Sequence, residues 1–121
     1  MSVGVLLGVG VLGGVGAIAR MLLDGAVAAR IAGAFPWGTL AVNVSGSFLL
    51  GALVGVALAG DGYRLAGTGL LGAYTTFSTW MFESHRLGED GRLRLGALNF
   101  AVSLILGIAA AWAGRRLGAM L

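Results

Sequence analysis

The chain has 121 residues, 58% of them hydrophobic and only 11% charged, with a mean hydropathy of +0.94. Soluble domains carry about a quarter charged residues, so the composition describes an integral membrane protein and excludes a soluble domain. The formal charge of +3 comes from arginines too scattered for a nucleic-acid-binding face, and the lack of cysteine excludes disulfides, thiolate metal sites and cysteine catalysis.

A membrane-spanning helix needs about 20 apolar residues. Four such stretches, about residues 3–20, 37–59, 65–83 and 95–113, nearly exhaust the sequence. They predict an all-α protein made of a single four-helix transmembrane domain over residues 1–121, in the cell membrane. The first charge is Arg20, so the opening segment lacks the basic start of a signal peptide and reads as a retained helix ended by that arginine. Pro36 suits the start of the second span, where its missing N–H is no loss, and Trp37 suits the membrane interface. The third span carries Thr68, Thr75, Thr76, Ser78 and Thr79. Gly114-Arg115-Arg116 closes the fourth. Short connections make consecutive helices antiparallel neighbours.

Twenty-three glycines are many for this length, and several recur at four-residue spacing: Gly4/Gly8, Gly10/Gly14 and Gly51/Gly55. Small residues so placed let helix backbones approach closely, and dispersion then drives association in lipid. Close helix packing is the reading for most of them, in a chain expected to oligomerise. With four spans, Arg64, Arg115 and Arg116 fall on one side of the membrane and Arg20, Arg30, Arg86, Arg92 and Arg94 on the other. That division orients the chain poorly under the positive-inside rule. Insertion in both directions, giving an antiparallel dimer, is one outcome; a single orientation is the other.

Charge is almost absent from the spans, with Arg20 and Glu83 near their boundaries. A proton-coupled pump needs a buried carboxylate, and none falls at mid-membrane. His85 has no partners at metal-ligand spacing and reads as a solvated surface residue. The spans carry neutral polar groups instead. Ser45, Ser47 and Thr68 are expected to bond back to their own helix carbonyls. Asn43 cannot satisfy its amide so locally, and is either a tie between helices or a pathway residue.

Residues 72–80 read Gly-Ala-Tyr-Thr-Thr-Phe-Ser-Thr-Trp. Adjacent threonines are poor helix formers, and Gly67, Gly69 and Gly72 precede them. A break is predicted around 72–76, where lipid tolerates none unless protein or a water-filled cavity surrounds it. Freed carbonyls there suit a small hard cation such as sodium. Phe77 and Trp80 share a helical face, and the positive edges of their rings, with hydroxyl and amide donors, suit a small anion. An aromatic pair packed on lipid or a neighbouring helix is the plainer reading.

The run Phe35-Pro36-Trp37-Gly38-Thr39-Leu40-Ala41-Val42-Asn43-Val44-Ser45-Gly46-Ser47-Phe48 resembles the second-helix motif of the Fluc (CrcB) fluoride-channel family. Residues 72–83 are similar to its third-helix signature, and residues 13–20 to its first-helix ending. The resemblance covers all four spans. It implies a fluoride-selective passive channel, not an enzyme, which exports cytoplasmic fluoride as an antiparallel dual-topology dimer with two pores. It further implies a central structural sodium ion held by the backbone carbonyls of Gly72 and Thr75, shared with the partner chain. Asn43 would point into the pore, Phe77 and Trp80 would form the aromatic pair, and Ser78, Thr79 and Ser103 would form a hydroxyl track. Arg20 and Glu83 would be the boundary charges, with Arg20 drawing anions toward the vestibule.

Two positions depart from the family pattern. Trp80 stands where phenylalanine is usual, adding bulk and an N–H donor. Asn99-Phe100 stands where the family often has a pore-facing tyrosine. Either the Asn99 amide replaces the phenol, or this subunit contributes a degraded pore, as a supporting chain of a heterodimer would. A small four-helix multidrug exporter is a further alternative, but it requires a carboxylate in the first span, which has none. Homodimer and heterodimer both remain open.

Overall fold

The computed structural model describes residues 1–121 and is entirely helical. Helix α1 runs Val3–Arg30, started by Ser2, whose hydroxyl accepts from the Val5 N–H at 3.1 Å. Its 28 residues make a rod of about 42 Å, longer than the ~30 Å hydrocarbon layer. Arg20 therefore ends an apolar run but not the helix: a charge changes the preferred solvent, not the backbone propensity. Asp24 consequently lies on α1, beyond the predicted first span.

Helix α2, Trp37–Gly55, begins after Pro36 as predicted, and stops at Val56, short of residue 59. Ala57 there takes a positive φ of 58°. The third helix is bent and composite. It consists of α3 (Gly60–Tyr63), a π-helical stretch (Arg64–Leu71) and α4 (Gly72–Tyr74), then a break, then α5 (Ser78–Glu89). Helix α6 runs Leu93–Ala119. Three helices, α1, α2 and α6, are long and apolar enough to cross a membrane. The third span does not meet that measure: it is interrupted, and its hydroxyls and glycines lower its hydropathy.

The interruption falls at 75–77, slightly later than the 72–76 expected, and Gly72 stays helical. The upstream glycines serve packing instead. A Cβ on Gly69 would press on the Val9 backbone, and one on Gly16 would overlap the Leu70 carbonyl, so α1 lies directly against the π-helical stretch. Widening of that stretch shows in the Gly72 N–H, which reaches the carbonyl of Gly67 five residues back.

The tightest contact joins α2 to α6. Gly51 and Gly55 face the carbonyls of Ala111 and Arg115, while Gly114 and Gly118 face those of Phe48 and Ala52. Of the spaced pairs in the sequence, Gly51/Gly55 makes this backbone-to-backbone contact. Gly10 and Gly14 have nothing within 4 Å. Buried hydrophobic residues are few (Leu40, Val42, Leu71 and Leu87), and long apolar side chains cover the outside of α1 and α6. That inversion suits a protein whose surrounding solvent is lipid tail.

Candidate functional site

At the break, Thr75 turns extended (φ −78°, ψ 159°) after its N–H and its hydroxyl have both bonded the Leu71 carbonyl at 3.0 Å. The next residue is held by another helix. Asn43 Nδ2 donates to the Thr76 carbonyl at 2.7 Å, and the Thr76 N–H donates to Asn43 Oδ1 at 2.8 Å. This reciprocal pair makes Asn43 the tie between helices that an amide in such surroundings requires. Farther on, the Thr79 N–H donates to Thr76 Oγ1 at 3.2 Å and so starts α5.

These diversions have a consequence for two carbonyls. In an uninterrupted helix the Thr76 N–H would serve the Gly72 carbonyl, and the Thr79 N–H that of Thr75. Both donors are taken by side-chain oxygens instead. Gly72 and Thr75, the two positions named for sodium, thus lose their helical donors, which leaves hard oxygen ligands of the type such a cation takes.

A groove of about 400 Å³ opens beside the break. Asn43 and Ser47 from α2, Thr75–Phe77 and Trp80 from the broken helix, and Ser103 and Gly107 from α6 line it. Phe77 and Trp80 meet edge-on with centroids 5.5 Å apart, and Trp80 stacks on Phe100 at 5.3 Å. The structure therefore gathers Asn43, Phe77, Trp80 and Ser103 around one space.

Other expected site residues lie elsewhere. Thr79 faces a separate small cavity with Arg20, Asp24, Thr39 and Thr76, and Ser78 is exposed. The buried Nε of Arg20 has no hydrogen-bond partner in the chain. Glu83 accepts a hydrogen bond from the Thr39 hydroxyl at 2.6 Å, which ties α5 to the start of α2. His85 is exposed and pairs with Glu89.

Asn99 is fully buried behind the groove. Its amide donates to Ser84 Oγ at 2.8 Å, its Oδ1 accepts from Ser103 Oγ at 3.3 Å, and its backbone carbonyl accepts from Trp80 Nε1 at 3.2 Å. Ser84 in turn donates to the Trp80 carbonyl at 2.9 Å. The extra donor on Trp80 is thus spent on the protein. Trp80→Phe removes one neutral hydrogen bond, a net ~1 kcal/mol, and leaves the Phe100 stack in place. The expected result is a protein that melts a few degrees lower and keeps its fold; unchanged thermal unfolding would show that the indole N–H contributes nothing.

Sequence reasoning passed over Thr39, Tyr74 and Ser84. Thr39 lies one turn before Asn43 and Ser84 one turn after Trp80, so helical spacing from a residue already chosen would have found both. Tyr74 shares a 2.8 Å hydrogen bond with Ser45, whose hydroxyl also lies 3.1 Å from the Val42 carbonyl. The expected back-bond of Ser45 is present, whereas Ser47 and Thr68 form none.

A bundle of apolar helices packed around a tied, polar break is a multi-pass membrane protein with an uncharged groove beside that break. The profile of the CrcB-like protein family (Camphor Resistance, CrcB) matches residues 7–115. A protein of Mycobacterium tuberculosis named Fluoride-specific ion channel FluC 2 is 51% identical over 115 residues, covering 95% of this chain and 91% of its own length. Its namesake in Mycolicibacterium paratuberculosis is 53% identical over 116 residues, covering 96% and 95%. Fluoride-specific ion channel FluC 1 of Symbiobacterium thermophilum is 46% identical over 116 residues, covering 91% and 94%. The chain belongs to the CrcB-like family, whose named relatives are ion channels rather than enzymes, and it is a multi-pass protein of the cell membrane.

Proposed function

We propose that the chain is a subunit of a passive fluoride channel that lets the ion leave the cytoplasm. The observation that carries this reading is the groove, where one amide, two aromatic rings and several hydroxyls converge without a formal charge. A conducting site must bind well enough to admit the ion and weakly enough to release it. Partial positive charges on ring edges and polar hydrogens meet that requirement. Arg20 lies off the groove, in the neighbouring cavity it shares with Asp24, Thr39 and Thr79.

The assembly is an antiparallel, dual-topology dimer with two pores. Its support is the divided arginine pattern and a groove open on one side, with Phe77 70% exposed at membrane depth. A structural sodium ion at the dimer centre takes the Gly72 and Thr75 carbonyls of each chain, groups whose helical donors are diverted. A second reading, the supporting subunit of a heterodimer, draws on Asn99: its amide is spent on Ser84 rather than offered to the groove.

The test is efflux from liposomes loaded with fluoride or with chloride. The chain expressed alone should dimerise and release fluoride far faster than chloride, and more slowly once sodium is replaced by N-methylglucamine. Dimers that release neither ion overturn the homodimeric channel, and restoration by a second homologous chain would select the heterodimer. Efflux indifferent to sodium removes the cation from the proposal.

A further inference from the structure

Anions are held by donated protons, so each hydroxyl on the groove must be asked where its proton goes. Four hydroxyls line it. The Thr75 hydroxyl donates to the Leu71 carbonyl at 3.0 Å, and Ser103 donates to Asn99 Oδ1 at 3.3 Å. Those two therefore turn lone pairs toward the groove. Thr76 Oγ1 keeps its proton but sits at the break, where it accepts from the Thr79 N–H and also borders the small cavity. Ser47 Oγ has no hydrogen-bond partner in the chain, so its proton is free.

Ser47 also stands where the path continues. One turn beyond Asn43 on α2, it borders a second groove of about 400 Å³ that shares Leu50 and Ala111 with the first and reaches Tyr63, Trp112 and Arg115. On the facing wall, α6 has Gly107, and a Cβ there would lie 3.7 Å from Ser47 Oγ with no other atom within 4 Å. The stretch thus has one free donor on its α2 side and an empty position on its α6 side. Exposed Arg115, at the far end, supplies the charge that draws an anion along.

We propose that Ser47 is a second anion-binding station, where a small halide leaving Asn43 and Phe77 is held by the Ser47 O–H before it reaches the Arg115 end. The inference rests on the channel reading above, and it differs from a hydroxyl track along Ser78, Thr79 and Ser103. Beyond Asn43 the donor comes from α2, because the α6 hydroxyl has given its proton to Asn99.

Efflux of fluoride from liposomes tests it with wild type, Ser47→Ala and Ser47→Ala/Gly107→Ser. The single variant should lose about tenfold in rate, the loss expected when a charged species gives up one hydrogen bond. The double variant should recover most of that rate, since its new hydroxyl enters the same space from the opposite helix. Wild-type rates in Ser47→Ala overturn the station while leaving the channel standing. A slow single variant that the double variant does not rescue overturns it too, assigning Ser47 to packing. A wild type that releases no fluoride, alone or with a second homologous chain, takes both readings down.

Discussion

Asn43→Ala is expected to reduce fluoride efflux to near the leak of empty vesicles and to lower the melting temperature of the protein. The substitution strands the Thr76 N–H and carbonyl, each now held by the amide at 2.8 and 2.7 Å. A buried polar backbone group without a partner costs ~1–3 kcal/mol, and lipid offers no replacement donor. The break between α4 and α5 would lose its tie to α2, and with it the placement of Phe77 and Trp80 beside the groove. Asn43→Asp separates the two effects. Its carboxylate still accepts from the Thr76 N–H but cannot donate to the carbonyl, and it puts a negative charge in the anion's path. The Asp variant should therefore melt nearer to wild type than the Ala variant, yet conduct as poorly. Wild-type efflux from either variant would remove Asn43 from the pathway, and wild-type melting of the Ala variant would remove it as the tie.

Gly114→Val should prevent recovery of a folded, monodisperse protein. A Cβ at this position would overlap the Phe48 carbonyl oxygen and stand 2.9 Å from its carbon and 3.1 Å from the Ala52 nitrogen. The obstacle is helix backbone, which no rotamer change can move aside, so α2 and α6 must separate. Overpacking a core costs ~1–3 kcal/mol. Here the cost reaches beyond one site, because Gly51, Gly55 and Gly118 rely on the same approach of the two helices. Dispersion is the main attraction between helices in lipid and falls steeply with distance. Gly25→Ala is the control: it lies in α1 with nothing within 4 Å, and should be tolerated or stabilising by ~1 kcal/mol. Size-exclusion profiles and thermal unfolding of both variants check the contrast. A Gly114→Val protein as well behaved as wild type would mean that the α2–α6 approach is looser than these distances require.

Much of this architecture was legible from residue order. Long apolar runs predicted helices in the right places, since hydrocarbon leaves few other ways to satisfy a backbone. The break was visible in Thr75-Thr76 after three glycines. Its position was not, because Asn43 decides it from another helix by capturing the Thr76 N–H and carbonyl. Helix ends were missed for a related reason. Apolar runs mark membrane depth, while α1 continues through Arg20 to Arg30 and α5, packed on α6 and tied to α2 through Glu83, continues to Glu89.

Composition, hydropathy and motif spacing by themselves determined that this is a four-segment membrane protein, with neutral polar groups at depth and a family-like third segment. Only the tertiary structure decided which of those groups share a space and where each proton is spent. It put Asn43, Phe77, Trp80 and Ser103 on one groove, sent Thr79 to the Arg20 side, buried Asn99 behind the wall, and left Ser47 unbonded. The physical reason is that a polar side chain is defined by its partners. Those partners lie 33 residues away for Asn43 and 19 for the Trp80 indole, beyond the reach of any local pattern.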